Sequence, residues 1–433
     1  VPALSGNSTK CTEEIDAMNT HASKARKSDS STSLIMSKEA ITAAKDAGYT
    51  GGLALANLNA GIACRISSDF ENASAYFNEA LGIYRAINDK KGESRTLNAI
   101  ANVELNLSNF DNAIEFYEEC VYILQSIGDM DYEAVVLMNK GLAYQQNGNL
   151  KAALKNYLES LCIFRTKGLK IHHALYNNLG IVFLETGNYE EALMYFTEAL
   201  KQTQMNKAVN DEGLALANLG RTYLYMEDFT NAITYLSEAL ICIKKTGNRQ
   251  AETQVYANLG KSFRRMKCYP ESVKLYNRAL KYYKEISDKS SVAHTLCEMG
   301  ELYFELNDYK SSKEFFNEGL EIAGSIGDEA NIARLNTGLA GLYLKFRDTE
   351  KAKQYLSSEE RPAASRNSLR ELMNICKLYS EVYTISGNEK LSGEYMKKYS
   401  NYTDEIADFV KECKIQSIML EHIGKCGNRF DTK

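Results

Sequence analysis

The chain has 433 residues, 44% of them hydrophobic and 25% charged, with 51 Lys and Arg against 56 Asp and Glu and a net charge of −5. This composition supports a buried core and lacks the basic excess expected of a nucleic-acid binder. No run of 18 apolar residues occurs, which excludes a helical membrane span, and only three prolines (Pro2, Pro270, Pro362) interrupt what can be long stretches of helix.

Residues 1–11 read as a flexible tail. Residues 12–48 read as a degenerate first hairpin, because Glu39-Ala40-Ile41 matches Glu79-Ala80-Leu81 at the spacing of the units that follow. The polar run Lys27-Ser28-Asp29-Ser30-Ser31 would be its turn. From about residue 50 the chain is an internal repeat. A small residue recurs as Gly61, Ala101, Gly141, Gly180, Gly220, Gly260, Gly300, Ala340 and Ser380, spaced by 40 except for 39 between Gly141 and Gly180. An aromatic follows three residues later, as in Tyr144, Phe183, Tyr223, Phe263, Tyr303, Tyr343 and Tyr383. A small residue sits twelve on (Ala73 to Ser392), an aromatic usually fifteen on (Tyr76 to Tyr395), and a small residue again nineteen on (Ala80 to Gly319).

Each unit holds two stretches of 3.6-residue periodicity, so two amphipathic helices, A and B. Polar turns such as Glu185-Thr186-Gly187-Asn188 and Glu227-Asp228 separate A from B. Second breakers separate the units, at Ile127-Gly128-Asp129, Thr246-Gly247-Asn248 and Ile326-Gly327-Asp328. Gly and Asn there tolerate the left-handed conformation that ends a helix. The small residues mark a close A–B crossing, and the aromatics are expected to fill the wedge between neighbouring hairpins. No hairpin buries its face alone, so the stack is the folding unit. The run Ser357 to Pro362 interrupts the ninth unit, with a break expected near 357–366. A separate capping helix is expected over 401–422, with Ile406, Phe409, Val410 and Cys413 on its buried side, followed by a loose tail over 423–433.

The pattern resembles the tetratricopeptide repeat, with its Leu-Gly, Tyr, Ala, aromatic and Ala positions. It departs from the family in a unit of 40 residues instead of 34 and in lacking the usual proline at the end of helix B. The Asn-Leu-Gly-x-x-Tyr form, as in Asn218-Leu219-Gly220-Arg221-Thr222-Tyr223, is similar to the Partner-of-Inscuteable class of spindle-orientation adaptors and to kinesin light chains. Bacterial sensor proteins and quorum-peptide receptors carry such arrays too. The resemblance covers roughly residues 50–400. It implies an all-α, right-handed superhelical solenoid of about ten hairpins plus a capping helix, acting as a binding scaffold.

No catalytic constellation stands out. His21, His172, His173, His294 and His422 have no partner at metal-ligand spacing, so no metal and no cofactor is expected. The adjacent pair His172-His173 reads as surface or turn. The ten cysteines form no CxxC pair and read as small packing residues, Cys413 and Cys426 being the one pair to watch for a disulfide. Unpaired thiols suit a reducing, cytoplasmic setting, whereas a start at Val1 leaves secretion open. Sequons at Asn7, Asn72, Asn106 and Asn401 are about as many as chance supplies.

In the resembling families helix A lines an inner groove that binds extended peptides. With the small anchor as position 8, the groove face takes positions 2, 5, 9 and 12, flanked by 6 and 13; spacings of three and four share a helical face. Position 6 holds Asn139, Asn178, Asn218 and Asn258, with Asn98, Asn102 and Asn177 nearby. Such amides can clamp a peptide backbone or brace a neighbouring helix. Arg221, Lys261, Arg264 and Arg265 converge in successive units, with Lys267 close behind. They point to an acidic or phosphorylated ligand, unless Glu298, Glu301 and Glu305 neutralise them from the next unit. The sequence therefore reads as a protein–protein adaptor binding an extended, partly acidic peptide. The alternatives are a structural unit of a filament or extracellular assembly, with self-assembly, and the sensory segment of a signalling protein.

Overall fold

The computed structural model describes residues 5–26, 29–358 and 369–427. The chain divides into two compact units, one of residues 1–171 with 416–433, the other of residues 172–415. The first unit contains α1 (Ser5–Ala25), α2 (Ser30–Asp46), α3 (Thr50–Ile66), α4 (Phe70–Ala86), α5 (Lys90–Asn106), α6 (Phe110–Ile127), α7 (Met130–Gln146) and α8 (Leu150–Thr166). The second begins with α9 (His173–Thr186), α10 (Tyr189–Met205), α11 (Val209–Tyr225), α12 (Phe229–Thr246), α13 (Arg249–Arg265) and α14 (Tyr269–Glu285). It continues with α15 (Lys289–Glu305), α16 (Tyr309–Ile326), α17 (Glu329–Lys345), α18 (Thr349–Ser357), α19 (Leu369–Ile385) and α20 (Glu389–Gly427), whose last turns pass beyond residue 415. Odd and even helices pair as hairpins, and no strand occurs among the described residues.

The turns follow from their residues. Gly128, Gly187, Gly247 and Gly327 end α6, α9, α12 and α16 with φ of 71°, 86°, 70° and 66°, the left-handed conformation that glycine adopts without a Cβ penalty. Asp129, Asn248 and Asp328 then cap the next helix by accepting a backbone N–H with the side chain, as Asp228 does after Glu227, whereas Asn188 after Gly187 makes no such bond. Glu227, Lys267 and Arg347 take the same left-handed turn without being glycine, at φ of 61°, 62° and 58°.

Packing explains the period. A Cβ on Gly61, Gly141, Gly180 or Gly300 would stand 2.4–2.7 Å from the ring of Phe77, Tyr157, Phe196 or Phe316, sixteen residues on. These rings are buried, and burying each contributes roughly 2–3 kcal/mol. The aromatics at three and fifteen stack on one another within a hairpin, Phe183 on Tyr195 at 5.4 Å, Tyr223 on Tyr235 at 5.3 Å, Tyr303 against Phe315 at 5.1 Å and Tyr343 on Tyr355 at 5.7 Å, and Phe315 and Tyr355 also pack against clusters that include residues of the preceding hairpin. The small residue at twelve is a tie where it is serine, since Ser272 and Ser312 donate to the carbonyls of Gly260 and Gly300 at 2.7 and 2.8 Å.

The ends differ from expectation. Helix α1 already runs at Ser5, so most of the expected tail 1–11 is helical. Helix α20 is continuous for 39 residues. The second helix of the tenth hairpin and the expected cap over 401–422 are thus one element, and helix persists into the segment read as a tail from 423. No Gly or Pro separates the two, and Thr403 donates back to the Tyr399 carbonyl at 2.9 Å inside the helix. Ile406 is half-buried; the side chains of Phe409, Val410, Cys413 and Cys426, and with them the expected disulfide, lie outside the described residues. Helix α18 stops at Ser357 after nine residues, and the rest of the expected break lies outside them as well.

Candidate peptide-binding face

The asparagines of helix A obey a pairing rule. An Asn at position 6 reaches back 41 residues to position 5 of the preceding unit. Asn139 donates to the Asn98 amide oxygen at 3.0 Å, and Asn218 to that of Asn177 at 2.8 Å. In the first of these units Asn98 also donates to the Tyr132 hydroxyl at 3.0 Å. There Asn102 donates to the Asn98 carbonyl at 2.8 Å and accepts from Tyr117 at 2.9 Å. These five side chains brace helix against helix. Asn258 has Ala217 at position 5 of the preceding unit, so it has nothing to bond. Asn178 and Asn258 are half-buried and make no side-chain hydrogen bond among the described residues.

The cations are not a free basic cluster. Arg264 is 5% exposed and held by three carboxylates of α15: Glu298 at 3.2 Å, Glu301 at 2.7 Å and Glu305 at 2.9 Å. Lys261 pairs with Glu298 at 2.9 Å, and Tyr276 donates to the same carboxylate at 3.1 Å. Arg265 pairs with Glu227, and Lys267 sits in the turn after α13. The reason is helical spacing: residues 298, 301 and 305 share one face of α15, directed at Lys261 and Arg264. Burial opposes the Glu298 charge, but Lys261 and Arg264 outweigh it and hold its pKa at about 2. Desolvation and the like charge of Glu298 push Glu301 up. His294 joins no metal cluster; burial lowers its pKa, and its Nδ1 lies 2.9 Å from the Arg334 guanidinium. Among the described residues no group of His, Cys, Asp or Glu could hold a metal ion, and none of their helices is long and apolar enough to cross a membrane.

Arg221 is the exception. It makes no ion pair with a described carboxylate, and its Nε is buried without an acceptor. Burial lowers its pKa, while Tyr225 and Glu185 act the other way. The sequence alone could have found this: positions 5 and 6 predict which Asn pairs, and the Glu-x-x-Glu-x-x-x-Glu run of α15 predicts which cations it consumes. The α11 cation lacks such a run opposite it.

A family profile described as the tetratricopeptide repeat matches residues 92–166, 172–245 and 249–325, more than half of the chain. The chain belongs to the tetratricopeptide repeat family. A comparison with curated protein sequences finds no significant match. Among solved structures, this tetratricopeptide repeat chain is similar to the apo form of RapI, with a TM-score of 0.59 at 16% identity over 82% of this chain and 99% of that one. It is similar to the quorum sensor NprR from B. thuringiensis, both in its apo form (TM-score 0.58) and with its cognate peptide NprX (0.56), each at 15% identity over 80% of this chain and 97% of that one. Aspartyl phosphate phosphatase F from Bacillus subtilis matches with a TM-score of 0.52 at 12% identity, over 82% and 94% of the two chains. At such identities the likeness shows the shared helical fold.

Proposed function

We propose that this tetratricopeptide repeat chain is a non-catalytic scaffold that binds an extended peptide of a protein partner along the helix A face of α9, α11 and α13. The observation that carries the reading is Arg221, a guanidinium on position 9 whose buried Nε lacks an acceptor. Without a carboxylate of its own among the described residues, this guanidinium is left to pair with a ligand carboxylate through its forked donors. Asn178 and Asn258, one unit to either side, supply amides that can both donate to and accept from a peptide backbone. NprR, of the same fold, has been solved with a peptide, which supports the reading by analogy of fold. The acidic preference narrows to one position, because Lys261, Arg264 and Arg265 are already paired.

The test is retention of a degenerate peptide pool on the immobilised chain, sequenced after elution. Enrichment of an acidic residue at one position, lost with Arg221→Ala and weakened with Asn258→Ala, is the expected result. Enrichment that neither substitution alters would remove the face from consideration.

A further inference from the structure

On α13, Asn258, Lys261 and Arg265 share one helical face, and Arg249, Glu252 and Tyr256 share the opposite one. Between that second face and α14 lies a cavity of about 200 Å³, which Arg249, Tyr256, Arg278, Lys281 and Tyr282 help to line. Two tyrosine rings seat its cations: the Arg249 guanidinium lies 4.7 Å from the Tyr282 ring centre, the Arg278 guanidinium 5.5 Å from that of Tyr256. The Lys244 ammonium lies 5.8 Å from the Tyr256 ring as well. Such contacts hold long side chains in place without neutralising them.

The local charge does not balance. Glu252 accepts the Tyr256 hydroxyl at 2.7 Å, and Glu285 pairs with Arg249 at 3.3 Å. Lys244, Arg278 and Lys281 have no carboxylate partner among the described residues. The lining holds three cations (Arg249, Arg278, Lys281) against two carboxylates (Glu252, Glu285), and Lys244, which lies outside the lining against the Tyr256 ring, brings the local excess to two positive charges, on a chain whose net charge is −5. The fold does not require this. The cavity lined by Glu118, Lys140, Lys155 and Glu159 in the first unit has its lysines matched, Lys140 to Glu118 at 3.0 Å and Lys155 to Glu159 at 4.0 Å.

We propose that the α13–α14 cavity is a docking site for a phosphorylated side chain of a partner protein, separate from the helix A face. A phosphate monoester carries close to two negative charges at neutral pH, which matches the excess. Its oxygens suit the forked donors of Arg278 and Arg249, and the volume admits one such group. A carboxylate would leave one positive charge unmatched.

The test uses the full chain and degenerate peptide pools with a central phosphoserine or phosphotyrosine, beside the same pools carrying serine, tyrosine or glutamate. The phosphorylated pools should be retained at least about tenfold more strongly than the others, the size that one added hydrogen bond to a charged group gives. Arg278→Glu with Lys281→Glu should abolish the difference, and the milder Arg278→Gln with Lys281→Gln should reduce it. Both residues are exposed, so circular-dichroism melts should stay unchanged. Arg221→Ala on the other face should leave phosphopeptide retention intact, which separates failure of this site from failure of the helix A reading. Equal retention of phosphorylated and glutamate pools, or a preference that survives the charge reversal, would overturn the proposal. So would binding to phosphatidylserine vesicles with no phosphopeptide preference.

Discussion

Replacing Glu298 by Gln separates a buried charge network from ordinary surface pairing. Glu298 is 9% exposed and serves Lys261, Arg264 and Tyr276 at once. Its carboxyl is held at about 2 in the folded chain against an ordinary 4.5, so its charge stabilises the fold at neutral pH. Removing one member of a buried pair costs about 3–5 kcal/mol in general. Stacked repeats open locally, so the loss should be read as hydrogen exchange of amides in α13 and α15, whose protection should fall about 100-fold. The neighbouring Glu301→Gln should cost less, because its side chain is 45% exposed and Arg264 keeps Glu298 and Glu305 as charged partners. The pH dependence has a definite sign. A depressed folded pKa gives stability present above pH 4.5 and lost as the pH falls towards 2, and Glu298→Gln should remove that loss. Equal effects of the two substitutions, or unchanged exchange in Glu298→Gln, would refute the reasoning.

Three further outcomes follow from the packing and the pairing rule. Gly220→Ala should destabilise its hairpin by about 1–3 kcal/mol, since the new Cβ would meet Leu236 N at 3.0 Å and Ala232 O at 3.1 Å, backbone atoms that cannot turn aside; a thermal melt equal to that of the parent would contradict it. Asn218→Ala should cost about 1 kcal/mol through its lost bond to Asn177, while Asn258→Ala should leave stability unchanged, and chemical denaturation compares the two. Burial pushes the Cys120 thiol up to about 12 and Cys297 also upward, so both should resist a thiol-specific disulfide reagent at pH 8 in the folded chain, whereas the half-buried Cys268 should react; rapid labelling of Cys120 would mean that α6 opens readily.

The fold is legible in the sequence because punctuation and period agree. Gly128, Gly187, Gly247 and Gly327 stand where a left-handed residue ends a helix, and the family signature spans the matched units. What escapes is any relation set by three-dimensional register. The buried ring sixteen residues after the anchor, as in Phe77 and Phe196, is masked by the more regular aromatic at fifteen. The continuity of α20 is hidden because Ser400 and Asn401 resemble a turn, although neither compels one. The site is only half legible. Arg264 looks like a ligand-binding cation because its three carboxylates lie 34 to 41 residues away, and only the stacking of α15 on α13 makes them neighbours. The Asn run looks uniform, and it is the residue one unit back, Asn177 or Ala217, that decides whether a given amide is spent.

Hydrogen–deuterium exchange of the full chain, with and without a peptide selected from the degenerate pool, tests the central claim most directly. The account predicts added protection in α9, α11 and α13 around Asn178, Arg221 and Asn258, abolished by Arg221→Ala. Protection confined to α12, α14 and α16, with α9 and α11 unchanged, would contradict it.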